Sequence, residues 1–61
     1  PDLYGSIHGR HFEIEVKRPG EQPTALQQAR LKQWAAAGAL VGVARSVEDA
    51  LDIVGVDGRS R

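Results

Sequence analysis

The stretch Phe12-Glu13-Ile14-Glu15-Val16-Lys17-Arg18 decides the fold, because its apolar and charged residues alternate one by one. Such alternation is typical of a β-strand that buries one of its two faces. We expect Phe12, Ile14 and Val16 to anchor this strand in the core. The opposite, polar face carries two glutamates and a lysine, which are the residue types that could do chemistry.

A β-hairpin is predicted around His8-Gly9, with strands over residues 2–7 and 10–17. Gly9 can take the positive φ angle that a tight hairpin turn requires. The resulting register sets Leu3 opposite Ile14, so that apolar side chains meet across the two strands. The hydrophobic pattern and the turn therefore predict the same pairing.

The same register places Asp2 opposite Glu15 on the polar face. Two carboxylates at ~5 Å repel each other by about 3 kcal/mol at an effective dielectric constant of about 20. Lys17, diagonal to Asp2, or a divalent cation would offset this repulsion, and the Val16 carbonyl would be a further oxygen ligand. The alternative is a solvated strand face with an ordinary ion pair.

The rest of the chain predicts a helix, a strand and a second helix. Thr24 is a suitable N-cap for a helix that runs to Ala37, and Gly38 follows as the C-cap region. Residues 40–44 form an apolar run typical of a buried strand, parallel to the second strand because a helix connects the two. Ser46 would cap a short helix that ends near Val54, which completes the order β-β-α-β-α.

One stripe of the first helix is expected to face the sheet, with Trp34 in the core; its members are Gln27, Leu31, Trp34, Ala35 and Gly38. Gln27 has two possible roles. It can bond back to Thr24 in a capping box, or it can act beside Glu15, and the two roles are compatible. His8 and His11 are expected to be ordinary turn and surface residues.

Length and composition limit the chain to one small domain. It has 61 residues, of which 41% are hydrophobic, and no cysteine. Eight basic and eight acidic residues give no net charge, which counts mildly against a free-standing nucleic-acid binder. No apolar run is long enough to span a membrane, and a cytoplasmic location is the simplest expectation. We expect a folded core over residues 1–55 and a flexible tail over 56–61.

Several motifs, in order, resemble a known nuclease family. Pro1-Asp2 followed by Glu15-Val16-Lys17 has the form of the PD-(D/E)XK signature. The wider set is similar to the VRR-NUC domain, which occurs as small phage and bacterial nucleases and as the catalytic module of larger repair nucleases. That set comprises Pro1-Asp2-Leu3, Ile14-Glu15-Val16-Lys17, Pro23-Thr24-Ala25-Leu26-Gln27, the helix into Gly38 and Ser46-Val47-Glu48-Asp49-Ala50.

The resemblance implies an α/β fold with a minimal PD-(D/E)XK core and a DNA endonuclease that depends on Mg²⁺ or Mn²⁺. It implies that Asp2, Glu15 and the Val16 carbonyl bind the metal. Lys17 would serve the attacking water, and Gln27 would lie behind them at the helix start. Members of the family usually carry a preceding helix with an acidic residue, so we expect this chain to be a fragment that lacks it.

The resemblance also implies DNA as the partner, with a four-way junction or flap as candidate substrate, a homodimer, and a role in repair or recombination in a bacterial or phage-infected cell. Four cations could contact phosphates, although each could equally belong to a mixed solvated surface. They are Arg10, Arg18, Arg30 and Lys32. Two alternatives stay open: a DNA-binding module without catalysis, and a structural or assembly domain.

Overall fold

The computed structural model describes residues 2–55, so Pro1 and the predicted tail over 56–61 lie outside the described residues. The elements follow the predicted β-β-α-β-α order. They are β1 (Leu3–Ile7), β2 (Arg10–Val16), α1 (Ala25–Ala36), β3 (Leu40–Ala44) and α2 (Val47–Val54). The described part of the chain is thus a small mixed α/β fold.

The three strands form one sheet in the order β1-β2-β3, with β2 in the centre. β1 and β2 pair antiparallel in the predicted register, which includes Leu3 opposite Ile14. His8 (φ 52°) and Gly9 (φ 77°) both have positive φ, as the type I′ hairpin turn requires. β3 pairs with β2 in parallel, which confirms the predicted crossover through α1.

A helix lies on each face of the sheet. Ile14 and Gly42 are register partners and share one face, where a Cβ built on Gly42 would lie 2.6 Å from the Ile53 Cδ1 atom of α2. Neighbouring strand residues point to opposite faces, so Glu15 belongs to the other face, and there it bonds to Gln27 of α1. The fold therefore has three layers, with β2 between the two helices.

Both helices begin at the predicted caps. The Thr24 hydroxyl accepts from the Gln27 backbone amide, and the Gln27 side chain accepts from the Thr24 amide, which together make a capping box. Ser46 accepts from the backbone amide of Asp49, and Gly55 ends α2 with a left-handed conformation. These local bonds fix where α1 and α2 start relative to the strands before them.

Two of the predicted core residues are exposed, and Phe12 is only partly buried. Ile14 is 1% exposed, as expected of an anchor, but Val16 is 46% exposed and Trp34 is 40% exposed. Val16 lines an open apolar cavity of about 420 Å³ together with Leu3 and the first turns of α2, because α2 packs mainly on β3. Trp34 lies at the flank of α1, because α1 packs on β2 and β3 rather than over β1.

The polar face of β2 is also different from the expectation of a solvated surface. Glu13 is 4% exposed and Glu15 is 3% exposed, because α1 covers them. Charged side chains are rarely buried to this extent unless they are paired or hydrogen-bonded, so the partners of these two glutamates define the interior of the site. Across residues 2–55, no helix has both the length and the apolar character needed to cross a membrane.

Candidate active site

Glu15 is the centre of the candidate site, on the central strand and beneath the start of α1. Its Oε2 atom accepts a hydrogen bond of 2.7 Å from Gln27 Nε2 and lies 3.9 Å from Lys17 Nζ. Lys17 keeps 18% of its side chain exposed, so the ammonium group lies at the rim of the site. The structure therefore brings together three of the four predicted catalytic side chains.

Gln27 makes both of the contacts that its position allows. Its Oε1 atom accepts from the Thr24 backbone N–H at 2.9 Å, while its Nε2 group donates to Glu15. The two partners fix the orientation of the amide, since the backbone N–H needs an acceptor and the carboxylate needs a donor. The helix cap thereby holds a donor against the buried carboxylate.

Asp2 lies beside the end of β2 through its side chain rather than as part of β1. Its Oδ2 atom accepts a 3.0 Å hydrogen bond from the backbone amide of Val16, the residue between Glu15 and Lys17. The paired residues of β1 begin at Leu3, so Asp2 lies just before the strand and not within the predicted pair with Glu15. The Asp2 carboxylate is thus tied to the same three-residue segment that carries the other site residues.

The possible metal ligands form a small set of oxygen donors. Within residues 2–55 no group of three or more His, Asp or Glu side chains is arranged to hold a metal ion. The donors that remain are the carboxylates of Asp2 and Glu15 and the carbonyl of Val16. Two carboxylates plus water and substrate phosphate are the ligands that Mg²⁺ commonly takes, so the donor chemistry fits a hard divalent cation.

The four predicted phosphate contacts are all exposed, but they do not form one rim. Arg10 donates from Nε to the Gly38 carbonyl at the C-terminal end of α1. Arg18 lies two residues beyond the other end of β2, a strand that is about 20 Å long from Arg10 to Val16. On α1, Lys32 lies on the opposite side of the helix from Gln27, whereas Arg30 is one turn after Gln27 and four residues before Trp34. Of the four cations, only Arg18 and Arg30 are therefore near the candidate site.

Arg45 is a cation at this end of the sheet that the sequence prediction missed. It follows directly after β3, whose last residue, Ala44, pairs with Val16 and accepts from the Lys17 amide at 3.0 Å. Its guanidinium donates to the carbonyl of Glu21 and so holds the loop after β2. Its position was available from the sequence, because carboxyl ends of adjacent parallel strands meet at one sheet edge.

A second, partly buried cluster, next to Glu15 on the same face, was also missed. Glu13 accepts a short hydrogen bond from His11 Nε2, and the His11 ring lies against Trp34 with centroids 4.5 Å apart and planes inclined by 32°. His11 keeps 37% of its side chain exposed, as a surface residue would, but it also contacts Glu13 and Trp34. The available signal was the period-2 spacing, which puts residues 11, 13 and 15 on one face.

In comparisons with protein-family models, with curated proteins and with solved structures, no match is found. What this chain does must therefore be argued from the geometry and chemistry of its own residues.

Proposed function

We propose that this chain is a metal-dependent nuclease domain of the PD-(D/E)XK, VRR-NUC-like type that hydrolyses phosphodiester bonds in DNA. The observation that carries the proposal is the contact of Glu15 with both Gln27 and Lys17 on the central strand. An ordinary surface ion pair consists of two exposed charges. Here the carboxylate is buried, an amide on the α1 side donates to it, and an ammonium group lies near it at the rim. Asp2, tied to the Val16 amide, adds the second carboxylate.

Asp2, Glu15 and the Val16 carbonyl are the residues that would hold Mg²⁺ or Mn²⁺. When bound, such an ion supplies Lewis-acid chemistry, since it withdraws charge from phosphate oxygens and favours hydroxide over water. The protein's own contribution is positional. Gln27 holds the Glu15 carboxylate in one orientation, and Lys17 presents N–H donors at the rim of the site.

In the proposed reaction a water oxygen forms a bond to phosphorus, and the phosphorus–oxygen bond to the leaving strand breaks. The water proton passes to solvent, and the departing oxygen takes up a proton. Lys17 orients the water and offsets the negative charge that develops on the phosphate oxygens. Because Lys17 touches Glu15 only at 3.9 Å and keeps part of its side chain exposed, it can do so without disturbing the core.

The test is Lys17→Ala in the full chain, assayed on plasmid, flap and four-way-junction DNA with Mg²⁺ or Mn²⁺. We expect cleavage to fall by about 100-fold or more, the usual cost of losing one positioned charge or donor. Stability should fall by about 1–3 kcal/mol, because Glu15, which is 3% exposed, loses a nearby cation but keeps the hydrogen bond from Gln27. Urea titration checks that the variant is folded under the assay conditions. Lys32→Ala, on the outer side of α1, is the matched control and should cut normally.

Cleavage by Lys17→Ala at the wild-type rate would refute the mechanism, and intact DNA with the wild-type protein would refute the function. One observation favours a binding or assembly module without catalysis: Glu13 and Glu15 already have protein donors, His11 and Gln27. Calorimetric titration with Mn²⁺ separates these functions, since an assembly domain would take up no metal. Homodimer formation, a branched substrate and a cytoplasmic location stay predictions.

A further inference from the structure

Two large aromatic side chains are exposed on the face of the sheet that carries Glu15. Tyr4 is 72% exposed and Trp34 is 40% exposed. Tyr4 pairs directly with Glu13 across the hairpin and so shares its face, which is also the face that α1 covers. Because α1 packs on β2 and β3, this side of β1 is left open beside the flank of α1 that carries Trp34.

The Trp34 ring packs on the His11 imidazole, which is itself hydrogen-bonded to Glu13. Glu13 is buried and accepts a hydrogen bond from His11, so the orientation of the imidazole is fixed. Trp34 lies against that imidazole and is 40% exposed to solvent. A rigid aromatic surface loses little conformational entropy when a flat ligand stacks on it, which favours binding.

The charges around these rings suit a polyanion. Arg30 is exposed and precedes Trp34 by four residues, so the two are neighbours on α1, and Gln27 is one turn earlier on the same side. Of the acids of this face, Glu13 and Glu15 are below the surface and hydrogen-bonded to His11 and Gln27. Asp2 is exposed, and its carboxylate accepts from the Val16 amide. Aromatic rings beside exposed cations are the combination with which proteins bind single-stranded nucleic acid.

We propose that Trp34 and Tyr4 form a stacking platform for unpaired bases of a DNA strand that leads to Glu15, with its phosphates along Arg30 and Lys17. Glu13 lies about 7 Å from Glu15 along β2, and His11 about 14 Å. The platform is therefore a few nucleotides from the candidate site. Its identity as a substrate-binding surface rests on the proposed nuclease function, but base stacking itself can be measured without cleavage.

The first experiment uses the full chain, EDTA and a short single-stranded oligothymidine. Trp34 is the only tryptophan, so a base stacked on it should quench its fluorescence as binding saturates. An abasic oligomer of the same length presents the same phosphates without bases, and we expect it to bind at least about 5-fold more weakly.

The second experiment compares Trp34→Leu and Tyr4→Leu by anisotropy of a labelled oligothymidine. Loss of one stacked base should weaken binding roughly 5- to 150-fold. Val47→Ala is the matched control, since Val47 is 78% exposed on α2 at the other face of the sheet, and it should bind as the wild type does. If urea titration shows that Trp34→Leu does not fold, the binding of Tyr4→Leu tests the stacking platform instead.

The proposal is overturned if both oligomers bind equally, if binding leaves tryptophan emission unchanged, or if no DNA is bound. Its failure is distinguishable from that of the nuclease proposal. A protein that cuts DNA without preferring bases over abasic sites retains the function and lacks the platform. A protein that stacks bases in EDTA but never cuts with Mn²⁺ retains the platform and lacks the function.

Discussion

Gln27→Glu separates the two contacts of the Gln27 side chain, the helix cap with Thr24 and the hydrogen bond to Glu15. Glutamate at this position can still accept from the Thr24 amide, so the capping box survives. The group that donates to Glu15, however, is replaced by a second carboxylate oxygen at a site where the present contact is 2.7 Å. The variant therefore tests the Glu15 contact and not the helix cap.

The expected loss at pH 7 is large for a chain of this size. A hydrogen bond to a charged group contributes about 1.5–3 kcal/mol, and the new repulsion adds to its loss. The free energy of unfolding of a 61-residue domain is roughly 3–9 kcal/mol. With a urea m-value of about 1 kcal/mol per M, the denaturation midpoint should fall by about 2–3 M. Urea titration of the wild type and of the variant at pH 7 measures this loss.

Gln28→Glu is the matched control, because Gln28 is the next residue of α1 and is exposed. It should change the free energy of unfolding by no more than about 0.5 kcal/mol. If Gln27→Glu is as stable as Gln28→Glu at pH 7, the hydrogen bond between Gln27 and Glu15 does not stabilise the site, which refutes the role given to Gln27.

Two further substitutions test the elements around the site by urea titration. Thr24→Ala removes the acceptor of the Gln27 amide and should cost about 1 kcal/mol; no loss would mean that the cap does not hold α1. Gly42→Ala brings a Cβ within 2.9 Å of Ile53 Cγ1 as well as 2.6 Å of its Cδ1 and should cost about 1–3 kcal/mol. Adding Ile53→Val should recover part of this loss, and strict additivity would contradict the close packing.

The sequence predicts the elements of this fold well because their signals are local. The His8-Gly9 turn fixes the hairpin register, and Thr24 and Ser46 form the caps that their residue types predict. The contact of Gln27 with Glu15 follows from the helix start and the strand alternation. Each of these features depends on the residue types at a few neighbouring positions, so the sequence alone is enough to predict it.

The lateral position of a helix on a sheet is not a local property, and the wrong expectations have this cause. A helical wheel puts Trp34 towards the sheet but does not tell that α1 packs on β3 and leaves this flank open. Val16 alternates correctly with its neighbours, yet α2 does not cover it. The alternation also does not show that α1 buries Glu13 and Glu15, since acidic residues usually indicate a solvated face.

The parallel pairing of β2 with β3 also bears on how the molecule folds. The paired residues Phe12 and Leu40 are 28 positions apart in the chain, while Glu15 and Gln27 are 12 apart. Closing the longer loop costs about 0.8 kcal/mol more chain entropy than closing the shorter one. The hairpin and α1 can therefore collapse into a unit that already contains Glu15 and Gln27, and β3 with α2 would add to it afterwards.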